Sequence, residues 1–430
     1  MAGIRAGSCG SPTHPLRLDA VMGPFLNQLI PCLILTALQF LAALPWLWAV
    51  DPRAFRQQVT RPSAIVWFFG LIVGVGVLGA FFLGYQKGSA GLEDYGRFYA
   101  SLLHIQIIAD LFIGGFQLLL FAWPKGGAIA LSAFRENVRS PAFWLTGGSA
   151  IMLLIVAMVV PYFTFGDDFK MMKQICFDVA MLAPIACGAL LTSISINEEI
   201  EGRSAITVIS KPVTRRQFLL GKYLGALLAA LALTLVIGWV LVWVLHIQPR
   251  FNPIDQFIDP MPTQLSLLIA EYISPHLQGD SALFVAGAIQ WTGEAIANSL
   301  GLLLGFGQVM VLLALTAALA TRVPMAANAI LVLVVFFLGH LAPVMHRAAE
   351  DWKSQNPTTA VSLVSFLTQL LETLTPTLEF FNMGPAIIRD APLDIGSFAL
   401  YVGSVFVYAL VYTAIALLFG LILFEDRDLA

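Results

Sequence analysis

Charge is scarce in this chain. Asp, Glu, Lys and Arg make up 11% of its 430 residues, where a soluble domain carries roughly 25%, so a water-facing globular surface is excluded. The 23 basic and 26 acidic residues leave a formal net charge of -3, which gives no electrostatic reason to expect nucleic acid as a partner. Cysteine is equally sparse. Cys9, Cys32, Cys176 and Cys187 form no C-x-x-C, the six His are dispersed and H-E-x-x-H does not occur, so neither a disulfide scaffold nor a metal site is expected. Met171 and Met172 are read as packing residues. No G-x-x-x-x-G-K-[ST] is present, so the chain has no P-loop to cradle nucleotide phosphates. Residues 1–20 lack the apolar run of a cleavable signal peptide, and Met22, where the apolar pattern begins, is a candidate start.

What the chain has instead is apolar length: 58% hydrophobic residues and a mean hydropathy of +0.83. A helix crossing ~30 Å of hydrocarbon needs about 20 apolar residues. Nine stretches qualify: Phe25–Val50, Ala64–Gly84, Leu102–Trp123, Phe143–Phe163, Cys176–Ile196, Tyr223–Leu245, Ile296–Ala320, Met325–His340 with its flank, and Phe398–Phe424. Their continuity favours helices over barrel strands, which alternate. The expected fold is an all-α, polytopic membrane bundle. Thirteen of the 23 Lys and Arg fall in short connections on one side, among them Arg53, Arg56, Arg61, Arg135, Arg139, Arg203, Lys211 and Arg322. Basic loops are retained inside, which places that side and the C-terminus in the cytoplasm.

Trp123-Pro124-Lys125-Gly126-Gly127 breaks the chain into 1–124, a tail with three spans, and 125–430, with six. An amphipathic helix is expected over 128–142, with Leu131, Phe134 and Val138 on its apolar face and Ser140-Pro141 ending it. In the third span Asp110 stands near the centre, one turn after Gln106. An intramembrane carboxylate is a candidate functional group, either a proton or substrate site or a hydrogen-bonded residue that holds the extra spans. Two patches in the outer connections, Leu265–Ile273 and Val361–Leu374, have the pattern of surface helices.

The densest polar stretch connects the fifth and sixth spans: Asn197-Glu198-Glu199-Ile200-Glu201-Gly202-Arg203, then Ser210-Lys211-Pro212-Val213-Thr214-Arg215-Arg216-Gln217-Phe218, then Gly221-Lys222-Tyr223-Leu224-Gly225. Thr214 and Gln217 have the spacing of a capping box. At these residues the chain resembles the ABC-2 family of ABC transporter permeases, in particular the branch described as maturation permeases for multicopper enzymes. Phe134-Arg135-Glu136-Asn137 and Phe424-Glu425-Asp426-Arg427-Asp428-Leu429 extend the resemblance over 125–430, the family's six-span core. The three preceding spans depart from a minimal permease.

The resemblance implies a transmembrane permease subunit in the cytoplasmic membrane, not itself an enzyme. A separate ATPase carries the ATP and Mg, and two copies, or one copy and a related permease, assemble with it. The resemblance also implies that Glu198, Glu199, Glu201, Arg203, Lys211, Pro212, Arg215 and Arg216 belong to the loop that couples to the ATPase. From charge alone the same loop reads as a solvated connection that sets topology. Two other classes stand beside the permease: a gradient-driven carrier using Asp110, and a non-transporting membrane scaffold for an assembly complex.

Overall fold

The computed structural model describes residues 18–85, 89–160, 162, 167–201, 214–251, 263–273, 275, 280–356, 358–382, 384 and 394–425. Among these the chain is helical with no strand. The helices are α1 (Leu18–Val50), α2 (Pro52–Val59), α3 (Pro62–Tyr85), α4 (Ser89–Ala122), α5 (Pro124–Arg139), α6 (Pro141–Val159) and α7 (Asp168–Glu201). They are followed by α8 (Arg215–Ile247), α9 (Thr263–Leu268), α10 (Asp280–Ala320), α11 (Met325–Gln355), α12 (Thr359–Leu374) and α13 (Ile395–Glu425). Nine of the described helices (α1, α3, α4, α6, α7, α8, α10, α11 and α13) are long and apolar enough to cross a membrane. The protein is therefore a multi-pass, all-α membrane protein.

Several helices outrun the expected spans. The 34 residues of α7 reach about 50 Å at 1.5 Å per residue, against ~30 Å of hydrocarbon. Met171 and Met172 consequently sit inside α7 and not before it; Met172 is fully buried and accepts a thiol contact from Cys176 at 3.6 Å. The end of α11 is polar. There Glu350 accepts from Ser365 of α12, and Arg347 pairs with Glu379 in the 3-10 turn Leu378–Phe381.

Contacts divide the chain into two compact units. The first comprises Met1–Ile113 with Ile269–Ile289. In it α1 packs along α3, with Gly76 against Leu33 and the Phe40 and Phe68 rings edge to face at 5.9 Å. Tyr99 of α4 donates to the Leu35 carbonyl of α1 at 2.8 Å, and Gln39 returns a bond to the Tyr99 carbonyl at 3.1 Å. Gly96 and Gly287 bring α4 and the start of α10 so close that a Cβ on either would strike the other helix's backbone carbonyls.

The second unit comprises Gly114–Leu268 with Gln290–Ala430. Its most enclosed span is α10, with 83% of its most apolar stretch inside the protein. Around that axis stand α6, α7, α8, α11 and α13, sharing one hydrophobic core. Asp394 caps α13: the Ser397 hydroxyl donates to its carboxylate, as do the Gln264 amide at 2.9 Å and the Ser397 backbone N–H at 3.2 Å, and these bonds hold the Asp394 carboxyl below the usual carboxylate range.

Helix α5 corrects the expected one in two ways. It begins at Pro124, whose fixed φ suits a first helical position, so Gly126 and Gly127 lie inside the helix and not in a break. Its buried stripe is Gly126, Gly127, Ala130, Ala133 and Asn137, while Phe134 and Val138 are only partly buried. Small residues prevail because α5 lies directly on α8: a Cβ on Gly225 would come within 2.5 Å of the Ala130 carbonyl and 2.6 Å of Ala133 Cβ. Close helix approach of this kind is how membrane helices gain packing energy when lipid is as apolar as leucine.

Gly225→Ala is therefore expected to destabilise the protein by about 1–3 kcal/mol through overpacking. Gly148→Ala on α6, where nothing lies within 4 Å, should be neutral or gain up to ~1 kcal/mol of helix propensity. Melting of the two variants in detergent checks the opposite signs.

A buried charge cluster at the basic end of the bundle

One end of the second unit gathers the end of α7, the start of α8, the turn between α10 and α11, and the end of α13. Its first constraint is the start of α8. Thr214 accepts from the Gln217 backbone N–H at 3.2 Å and donates its own to the Gln217 side chain at 3.1 Å, completing the capping box expected from sequence. The helix so started carries Lys222 two turns in, flanked by Phe218, Leu219 and Tyr223, all buried.

Lys222 is 6% exposed and lies between carboxylates from two other helices. It bonds Glu136 of α5 at 3.1 Å, Ser195 of α7 at 2.9 Å, and forms an ion pair with Glu199 of α7. Ser195 in turn donates to the other oxygen of Glu136 at 3.1 Å. A buried ammonium is tolerated only when paired and hydrogen-bonded, and here three donors meet three acceptors. α5, α7 and α8 are thereby tied at one point.

A second layer sits beside it. Asn328 of α11, wholly buried, donates to Ser193 of α7 at 3.2 Å and to the Thr316 carbonyl of α10 at 3.0 Å. Asn197 reaches the same Ser193 hydroxyl at 3.3 Å. The end of α13 is held by cations: Arg215 donates to the Phe424 and Glu425 carbonyls at 2.9 and 2.8 Å and lies 5.7 Å from the Phe424 ring centre, and Arg322 donates to the Leu423 carbonyl at 2.8 Å. Cations on the last carbonyls of a helix also complement its dipole.

The loop residues singled out from sequence divide accordingly. Glu199 and Arg215 point inward, as braces to α8 and α13. Glu198 and Arg216 are exposed on either side of the connection, and Glu201 is the last residue of α7. Arg203, Lys211 and Pro212 lie outside the described residues. Lys222, Glu136, Ser195 and Asn328 were not picked out as site residues from the sequence, although a lysine inside an apolar run is a signal by the same rule that marked Asp110. In the first unit, Asp110 is half-buried on α4, with Oδ1 enclosed and no hydrogen-bond partner for it among the described residues. Gln106 Oε1 is in the same condition.

Removing the ammonium by Lys222→Met would leave two carboxylates facing a buried hydroxyl. The expected cost is about 2–3 kcal/mol, below the roughly 3–5 kcal/mol of a fully buried pair because Glu136 stays half exposed to water. Adding Glu136→Gln should recover part of it. A double-mutant cycle on melting temperature that came out additive would show the pair to be uncoupled.

The description "ABC-2 family transporter protein" belongs to the family model that matches residues 127–429, a stretch that contains α6 to α13, most of α5 and the whole of the charge cluster. No curated protein and no solved structure matches the chain. With well over half of its length matched to that family model, the chain belongs to the ABC-2 family of transporter proteins.

Proposed function

We propose that this chain is the membrane-spanning permease subunit of an ATP-driven transporter, with nucleotide hydrolysis on a separate ATPase. Family membership supports the transporter part. The lack of a P-loop sequence fits hydrolysis on a partner chain that holds the ATP and Mg. In this reading the basic end of the bundle and the C-terminus face the cytoplasm, the protein sits in the cell's inner membrane, and two permease copies, identical or related, meet two ATPase subunits.

The observation that carries the coupling role is the three-helix tie at Lys222. The connection from Glu198 to Arg216 is the surface offered to the ATPase, and both of its ends are bolted to the bundle within a few residues, through Glu199 to Lys222 and through Arg215 to α13. A push on the connection therefore moves α5, α7, α8 and α13 together instead of bending a loop. Glu198 and Arg216, exposed at its two ends, are the contact residues in this scheme.

A second reading has one observation in its favour. Asp110 and Gln106 present enclosed, unpartnered oxygens on a span outside the family match, as a gradient-driven carrier would require.

Purification of the native complex in mild detergent separates the two. The permease reading expects a stoichiometric P-loop ATPase, with ATP hydrolysis retained by Asp110→Asn. Glu198→Lys combined with Arg216→Glu should weaken ATPase association at least about tenfold, that is about 1.4 kcal/mol. No associated ATPase, or association indifferent to the charge reversal, contradicts the reading or its contact surface respectively.

A further inference from the structure

Away from the basic end, the second unit carries a half-open cavity of about 260 Å³. Its wall includes Phe177 and Asp178 of α7, Gln308 of α10, Phe336 and His340 of α11, and Phe381 of the 3-10 turn. Gln308 lies twelve residues before the end of α10 and His340 fifteen after the start of α11. At 1.5 Å per residue these are about 18 and 22 Å from the basic end, in the far half of a ~30 Å hydrocarbon layer. Asp178 and Leu182 are exposed along the α7 side of the cavity, whereas Gln308 is 6% exposed and closes its inner wall.

The polar side of the cavity is ordered by hydrogen bonds. His340 Nδ1 lies 2.9 Å from the Phe336 carbonyl, which can only accept, so the proton is assigned to Nδ1. Nε2 faces the Gln308 amide at 3.5 Å. Apart from His340, Asp178 is the one acidic or basic side chain among the described lining residues. Phe177, Phe336 and Phe381 supply aromatic walls. A carboxylate among aromatic rings suits an organic cation, which is drawn to the negative faces of the rings and needs no coordinating oxygens. An inorganic cation would have to give up its water for phenyl rings. With pockets for drug-sized ligands running to about 300–1,000 Å³, this volume fits a head group and not a whole large molecule.

We propose that the Asp178 cavity binds a small organic ammonium group, as a free amine or as the head group of a lipid. Binding is a property of the permease chain and does not depend on the ATPase reading, so each is tested without the other.

The test uses the full chain in phosphatidylglycerol nanodiscs, with binding followed by thermal stabilisation. Two probes are supplied: choline in solution, and phosphatidylcholine incorporated in the disc. Stabilisation by choline identifies a soluble amine as ligand, and stabilisation by phosphatidylcholine alone identifies a lipid head group; either supports the site. Asp178→Asn, a near-isosteric change at an exposed position whose melting without ligand checks folding, should weaken the response at least about tenfold. Phe336→Leu should weaken choline more than its neutral carbon isostere, dimethylbutanol. The proposal is overturned by absence of a response to both probes, by an unchanged response in Asp178→Asn, or by equal binding of dimethylbutanol and choline.

Discussion

The meeting of α5, α7 and α8 at the basic end of this bundle depends on one buried ammonium. Lys222 sits in an apolar stretch of α8, and moving such a group from water into the protein costs several kcal/mol unless its protons are met. Glu136, Ser195 and Glu199 meet them. The three partners come from α5 and α7, so satisfying the lysine fixes where both helices lie against α8. The small-residue stripe of α5 has the same consequence from the packing side: Gly225 admits Ala130 and Ala133 only if the two helices stay in close register.

In the proposed reading this arrangement gives the charged connection between α7 and α8 a mechanical meaning. Here the last turn of α7 is held by Lys222 and the first turn of α8 by a capping box and by Arg215 on the α13 carbonyls. Asn328 then links α7 to α10 and α11 through Ser193 and the Thr316 carbonyl. Displacement at the connection has a stiff path of hydrogen bonds into most of the second unit, where a chain of flexible side chains would absorb it.

Much of this fold was legible in the sequence because the bilayer imposes a single strong rule, about 20 apolar residues per crossing. Seven of the nine expected spans lie within long helices, while Leu102–Trp123 and Phe143–Phe163 run past the ends of α4 at Ala122 and α6 at Val159; Thr214 with Gln217 announces a helix start through local chemistry alone. What escaped has physical reasons. Helix lengths were underestimated, since hydropathy marks only the part inside hydrocarbon and α7 and α11 continue with polar residues beyond it. The buried face of α5 escapes sequence pattern because large apolar residues mark the expected face, whereas a helix lying on glycines buries its alanines and glycines. Lys222 directly precedes an expected span, and nothing in sequence spacing tells that residues 86 and 27 positions away converge on it. The Asp178 cavity was invisible for the same reason, its lining coming from three helices and a turn.

The central claim is that α5 and α8 move as one body because Lys222 holds them. Spin labels at Ser132 of α5 and Val236 of α8, both exposed positions, report the separation of the two helices in the assembled transporter. The account predicts a single narrow distance that changes by less than the ~2 Å of a helix shift between nucleotide-free and ATP-trapped states, and a broadened distribution in Lys222→Met. A wild-type distance that changes by more than this on ATP binding, with Lys222 in place, would contradict it.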